Sequence, residues 1–184
     1  MAKLKHVPAY RIKITLTGVK PPVWRRVVLP GAWHLGKVHD AVQTAMGWTN
    51  SHLHEFDRDG LRWGQPDPDW DGAEVRREET ARLHEVLPTL GDKITYTYDF
   101  GDDWRHVLLV EELLAPARTA TCVAGRGACP PEDCGGPWGY AELLASLADP
   151  QHPEHRERLD WVGGPIDPEA FDPTQASEAL RGLS

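Results

Sequence analysis

The amino-acid sequence predicts an α+β fold: a mostly antiparallel sheet with helices packed on one face in a roll-like arrangement, and further helices towards the C-terminal end. Three observations lead there. Apolar residues alternate with period two near 10–30 and again near 93–110, the spacing of half-buried strands. Helical spacing takes over after residue 136. Strands come first and helices later, without the βαβ alternation of a doubly wound sheet and without a glycine-rich phosphate loop.

In chain order, Tyr10, Ile12, Ile14 and Leu16 share one face of a first strand, with Arg11, Lys13 and Thr15 on the other. Residues 18–22 turn the chain. Val23, Val27 and Leu29 then alternate with Trp24, Arg26 and Val28 as far as Pro30-Gly31, so the two strands form a hairpin. Leu35, Val38, Val42 and Met46, with Ala41 and Ala45, recur at helical spacing, and Gly47 stands where a C-cap glycine ends a helix. His52, His54 and Phe56 alternate with Leu53 and Glu55 as a third strand, which Asp59-Gly60 turns into a short return over 61–64. The stretch 65–79, rich in Pro, Asp, Glu and Arg, is expected to be an exposed loop. A short helix at 83–87 precedes a second hairpin. Ile94, Tyr96 and Tyr98 lie on its first strand, 99–103 form its turn, and Trp104, His106, Leu108 and Val110 share a face of its second strand. The Cys-, Gly- and Pro-rich stretch 115–136 shows no regular period and reads as a long loop. Pro137 suits the first turn of a helix that points Tyr140, Leu143, Leu144 and Leu147 inward. Pro153 opens another helix, and Asp172-Pro173 caps and starts a last one.

At 184 residues the chain is expected to be a single domain over 1–184, with its core within 8–175. A net charge of −8 argues against a bulk electrostatic grip on nucleic acid, which needs a basic face to release counterions. Lys13, Lys20, Arg25 and Arg26 are close in sequence, and they read as solvated strand and turn residues rather than a phosphate site. No apolar run reaches the roughly 18 residues of a membrane span. The basic N-terminal residues lack an apolar stretch and do not read as a signal peptide, so the expected compartment is the cytoplasm. There, Cys122, Cys129 and Cys134 are expected to be thiols or metal ligands rather than disulfide partners.

Several stretches taken together resemble one family. They are Pro21-Pro22-Val23-Trp24-Arg25-Arg26, Met46-Gly47-Trp48, His52-Leu53-His54-Glu55-Phe56, Tyr98-Asp99-Phe100-Gly101-Asp102-Asp103-Trp104-Arg105-His106, and Cys129-Pro130-Pro131-Glu132-Asp133 with Gly135-Gly136 and Gly139-Tyr140. The ordered set, spanning about 8–175, is similar to the plasmid pRiA ORF-three-like family, whose relatives also travel as insertion-element passengers under a TnpR-like label. The resemblance implies a compact α+β roll associated with plasmids and mobile elements, and brings no catalytic residues with it. It also implies an aliphatic residue where this chain has Cys134, leaving Cys122 and Cys129 as the pair to consider. The resolvase label does not suit the residues: a serine recombinase needs a nucleophilic serine near the N-terminus among arginines, and the first serine here is Ser51.

Two segments hold the candidate chemistry. Asp99, Asp102, Asp103 and His106 place three carboxylates and an imidazole within eight residues. Such a set suits magnesium or manganese and a metal-activated water. The plainer reading is a β-turn built by Asp and Gly, followed by a core histidine. Cys122 and Cys129 offer two thiolates for zinc, with His106, His52 and His54 as the imidazoles that would complete a tetrahedral set, against the plainer reading of two buried, inert cysteines. His52 and His54, at i and i+2, would face one side of a strand about 7 Å apart. Glu132-Asp133 reads either as a general-base pair or, preferably, as a cap on the helix that follows. A Cys129–His106 nucleophile pair would have only Arg126 as a nearby positive charge. Two functions are therefore expected: a protein-binding or accessory module using an aromatic surface that includes Trp63, Trp70 and Trp138, or a metal-dependent hydrolase or nuclease using the Asp99–His106 segment.

Overall fold

Period-two patterning is realised as one long sheet. The computed structural model describes residues 7–66 and 74–183. Within them the strands are β1 (Ala9–Leu16), β2 (Trp24–Pro30), β3 (His54–Arg58), β4 (Leu61–Gly64), β5 (Val75–Arg77), β6 (Lys93–Tyr98), β7 (Trp104–Leu114) and β8 (Thr121–Arg126). Their order across the sheet is β5-β4-β3-β6-β7-β1-β2-β8. Every junction is antiparallel except that of β4 with β5. The described residues also form α1 (Leu35–Met46), α2 (Leu83–Val86), α3 (Gly136–Ala148), α4 (His155–Trp161) and α5 (Pro173–Arg181). The α+β class, the antiparallel sheet and the C-terminal helices are as the sequence predicts.

Register decides which side chains share the core. Phe56, Tyr96, His106 and Leu16 stand in one row across β3, β6, β7 and β1, and His54, Tyr98 and Trp104 stand in the next. All are buried, because alternate residues of a strand point to the same face. α1 lies on that face with Leu35, Val38, Ala41, Val42 and Ala45 inward. It ends as expected at Gly47, whose left-handed φ of 99° lets its N–H bond the Gln43 carbonyl at 2.8 Å. α5 starts at Asp172, whose side chain accepts from the N–H of Thr174 and Gln175, and it packs on β8 and α1.

Three expectations are corrected. The predicted loop 65–79 ends in β5 and a 3-10 turn, Glu78–Thr80; β5 pairs with β4, and Glu78 is buried. Trp70 lies outside the described residues. Within 115–136, β8 adds an edge strand to β2, and a bulge opposite Arg26 and Val27 breaks the alternation that would have revealed it. Arg25 is not a solvated strand residue but is 1% exposed. It stands between Val23 and Val27 on the inner face, where its Nε donates to the Ala45 carbonyl at 2.8 Å. Its Nη1 donates to the carbonyls of Trp24 and Arg126, both at 3.0 Å, and its guanidinium lies 3.9 Å from the Phe171 ring centre. Ala45 belongs to the last turn of α1, whose carbonyls have no helical partner, and Arg25 supplies one. Arg26 is also taken, by Glu111, and Lys13 lies over Trp24, so the basic run forms no shared patch.

Candidate metal centre

Three connections meet at one end of the sheet: 48–53 between α1 and β3, 99–103 between β6 and β7, and 127–135 between β8 and α3. The first two are neighbours because β3 pairs with β6, and Asp99 N–H donates to the Leu53 carbonyl at 2.9 Å. The third is tied on at several points. Trp48 Nε1 donates to the Pro130 carbonyl at 3.1 Å, and Gly135 N–H donates to Asp102 Oδ2 at 3.1 Å. Gly136, at φ 67°, comes so close to the 99–103 turn that a Cβ there would lie 2.3 Å from the Asp102 carbonyl oxygen, so only glycine fits.

This convergence surrounds one ring nitrogen with carboxylates. His52 Nε2 lies 3.1 Å from Asp133 Oδ1, 3.6 Å from Asp99 Oδ2 and 3.9 Å from Glu132 Oε2. The nitrogen is buried and makes no hydrogen bond within the protein. One ligand atom each from His52, Asp99 and Asp133 lie within 4.8 Å of one another, an arrangement that could hold a metal ion. Asp99 divides its two oxygens. Oδ1 accepts from Gly101 N–H at 2.9 Å and Asp102 N–H at 3.3 Å, holding the turn, while Oδ2 faces His52. Glu132 is held by the neighbouring loop: Oε1 accepts from Thr49 N–H at 2.8 Å and Thr49 Oγ1 at 3.1 Å, and Tyr98 O–H donates to the same carboxylate at 3.2 Å. Burial pushes the Tyr98 pKa up to about 12, with the Glu132 charge adding to it, so the phenol keeps its proton. Asp133, whose side chain is 70% exposed, leaves one side of the cluster open to solvent.

Only part of each sequence-read set is present. Of Asp99, Asp102, Asp103 and His106, Asp99 alone reaches the cluster. Asp102 holds Gly135, and Asp103 pairs with the exposed Arg105. His106 is fully buried in its sheet row, edge-on to Trp48, with Nδ1 3.3 Å from the Tyr96 carbonyl and its pKa held down to about 4 by burial. The structure does not gather Cys122, Cys129, His106, His52 and His54 into one ligand set. Among the described residues, His52, Asp99 and Asp133 are the group of three or more ligand atoms that come together. The three thiols are free, and burial raises the pKa of each, that of Cys134 to about 12, which leaves Cys129 without the thiolate a nucleophile needs. His52 and His54 do not share a strand face, because β3 begins at His54 and His52 lies in the loop before it. His54 Nε2 instead meets Glu78 at 2.6 Å inside the core. Glu132 and Asp133 do not cap α3, whose N-cap is Gly135 with no side-chain capping bond. Left-handed backbone at Asp133, Gly135 and Gly136 turns the chain there, and both carboxylates face His52 instead. Asp133 is the member of the cluster that sequence reasoning placed elsewhere; its signal was the general-base reading of Glu132-Asp133.

Comparison with known proteins places the chain in a family. The plasmid pRiA4b ORF-3-like family matches residues 8–175, and the chain belongs to it. An uncharacterised protein, y4hQ, of Sinorhizobium fredii (strain NBRC 101917 / NGR234) is 40% identical over 177 residues, which cover 95% of this chain and 91% of that protein. The crystal structure of MM3350, a protein of unknown function from Methanosarcina mazei Go1, is similar with a TM-score of 0.83 and 34% identity, covering 95% of this chain and 99% of that one.

Proposed function

We propose that this plasmid pRiA4b ORF-3-like protein binds a divalent metal ion through His52, Asp99 and Asp133 and uses it in hydrolysis. The observation that carries the reading is the buried, unpartnered His52 Nε2 with three carboxylates between 3.1 and 3.9 Å away. Like charges at this range repel, and a cation among them relieves that repulsion. One imidazole and two carboxylates make a donor set of intermediate hardness, suited to manganese or zinc ahead of calcium. A divalent ion there would lower the pKa of a bound water towards neutrality. Glu132, beside these residues and oriented by Thr49 and Tyr98, would take the proton from such a water. The open side at Asp133 gives a substrate its approach.

The test is turnover of p-nitrophenyl acetate and bis-p-nitrophenyl phosphate by metal-stripped protein with and without added manganese or zinc. Hydrolysis that needs the metal and disappears in Asp99→Asn supports the reading. Turnover by neither substrate under any metal removes the hydrolytic part of it.

A second reading, a protein-binding or accessory module, is favoured by the rim of the same site. Leu53 and Phe100, the chain neighbours of His52 and Asp99, are exposed large apolar residues, and Trp138, in the first turn of α3, is 86% exposed. Exposed aromatics at a rigid loop cluster are typical interface anchors. Trp63 does not contribute, because it is buried at the other side of β3. If this reading holds, Trp138→Ala abolishes capture of a partner while metal binding is unchanged.

A further inference from the structure

A buried hydrogen-bond network behind the site ends on the loop that carries His52. We propose that His39 is a positioning residue for the metal centre: with its proton on Nε2 it holds the Asn50 side chain, and through Asn50 the turn that aims His52. The inference rests on the metal-binding reading above.

The turn is shaped by side chains from other elements. Asn50 has a left-handed φ of 56°, a conformation that asparagine adopts more readily than other residues with a side chain, and side chains from other elements hold the turn there. Three successive N–H groups donate to side-chain oxygens: Thr49 to Glu132 Oε1 at 2.8 Å, Asn50 to Gln43 Oε1 at 3.1 Å, and Ser51 to Tyr98 Oη at 2.9 Å. The Asn50 side chain makes the remaining tie, its Oδ1 lying 2.8 Å from His39 Nε2. His52 is the second residue after it.

The network fixes the state of His39. Asn50 Oδ1 can only accept, so Nε2 carries a proton. Nδ1 lies 2.8 Å from Tyr96 Oη, which also receives Gln43 Nε2–H at 2.9 Å. With Nδ1 bare, the Tyr96 hydroxyl donates to it and every group in the chain has its partner. A proton on Nδ1 as well would leave the Tyr96 hydrogen facing a donor. The surroundings agree with the neutral ring. Burial, and then the His54 ring stacked on it with centroids 3.5 Å apart, hold the His39 pKa down to about 4. Residues that orient a metal ligand without touching the metal commonly matter for affinity about 10–100-fold.

The experiment compares full-length wild type, His39→Leu and His39→Gln by calorimetric titration with Mn²⁺, and by amide hydrogen exchange without metal. A glutamine amide offers one acceptor and one donor as the neutral ring does, whereas leucine makes neither bond. In His39→Leu, Mn²⁺ affinity is expected to fall about 10–100-fold, with exchange protection lost at 49–51 and kept in β6 and β7. His39→Gln is expected to restore both to within a few-fold. If His39→Leu does not fold, Asn50→Gly, which keeps the left-handed turn but removes the acceptor, is expected to show the same losses. Wild-type affinity in His39→Leu or in its Asn50→Gly substitute overturns the inference, and so does failure of glutamine to rescue folded protein. Wild type that takes up no Mn²⁺ overturns the metal reading itself and this one with it. Unchanged protection at 49–51 in His39→Leu overturns the tether alone.

Discussion

Asp99 uses its two oxygens differently, which makes it the most informative single residue in the site. Oδ1 closes a turn on Gly101 and Asp102, while Oδ2 faces His52. Asparagine can keep the turn by accepting through its carbonyl, but it brings an amide where Oδ2 faces His52. Asp99→Asn is therefore expected to change unfolding free energy by less than about 1 kcal/mol while lowering metal affinity at least tenfold. Asp99→Ala is expected to lose both, with a stability loss of about 1–2 kcal/mol from the two orphaned N–H groups. Urea denaturation beside metal titration separates the two effects; equal affinity in Asp99→Asn would remove Asp99 from the ligand set. Asp99 and His52 were legible in the sequence because turn chemistry and imidazole ligands have recognisable residue types. His106 misled for a physical reason: alternation shows that a residue points inward, not whether it meets a ligand or a core. Asp133 was misassigned because a carboxylate just ahead of a helix usually caps it, and only the left-handed backbone at Asp133, Gly135 and Gly136 redirects it.

At the level of elements, two buried polar contacts fasten pieces of chain that hydrophobic patterning does not. Arg25 joins β2 to the end of α1 and to β8. Lysine has one ammonium and cannot reproduce the fork that reaches three carbonyls. Arg25→Lys is accordingly expected to lower unfolding free energy by about 2 kcal/mol, measured by urea denaturation; a neutral result would mean that the carbonyls are satisfied otherwise. Glu78 fastens the segment after β5 through its 2.6 Å contact with His54. Burial is the largest single influence and raises the Glu78 pKa, but the His54 hydrogen bond and the surrounding histidines together outweigh it and lower the pKa. β1, β2, β6, β7 and α1 could be read from periodicity. β5 is three residues long and pairs parallel, too short for any period to show, and β8 is interrupted by its bulge. Arg25 could have been placed inward by counting from Val23 to Val27, yet its charge pointed to solvent.

At the scale of the whole molecule, two of the described histidines, His39 and His106, are buried as neutral rings. Burial holds both His39 and His106 at about 4, below the ordinary 6.5. Their unfolded forms take up protons at a higher pH than their folded forms do. The stability they contribute is complete above about pH 6.5 and declines as pH falls towards 4, by on the order of 3 kcal/mol per ring at the limit. The lowered Glu78 pKa acts in the same direction below the ordinary carboxylate range. The urea midpoint is expected to fall between pH 7 and pH 5, and His106→Leu is expected to flatten that fall. A midpoint independent of pH in this window would contradict the neutral assignments. The fold places His39 on the buried side of α1 and His106 on β7 of the sheet, while one end of the sheet gathers three loops into one cluster. The measurement that tests this account most directly is a calorimetric titration of tag-free, metal-stripped protein with Mn²⁺ and Zn²⁺, beside His52→Ala and a Cys122→Ser/Cys129→Ser variant. One equivalent bound by wild type and by the cysteine variant, and lost in His52→Ala, is the expected result. No binding by wild type, or binding kept in His52→Ala and lost with the cysteines, would contradict it.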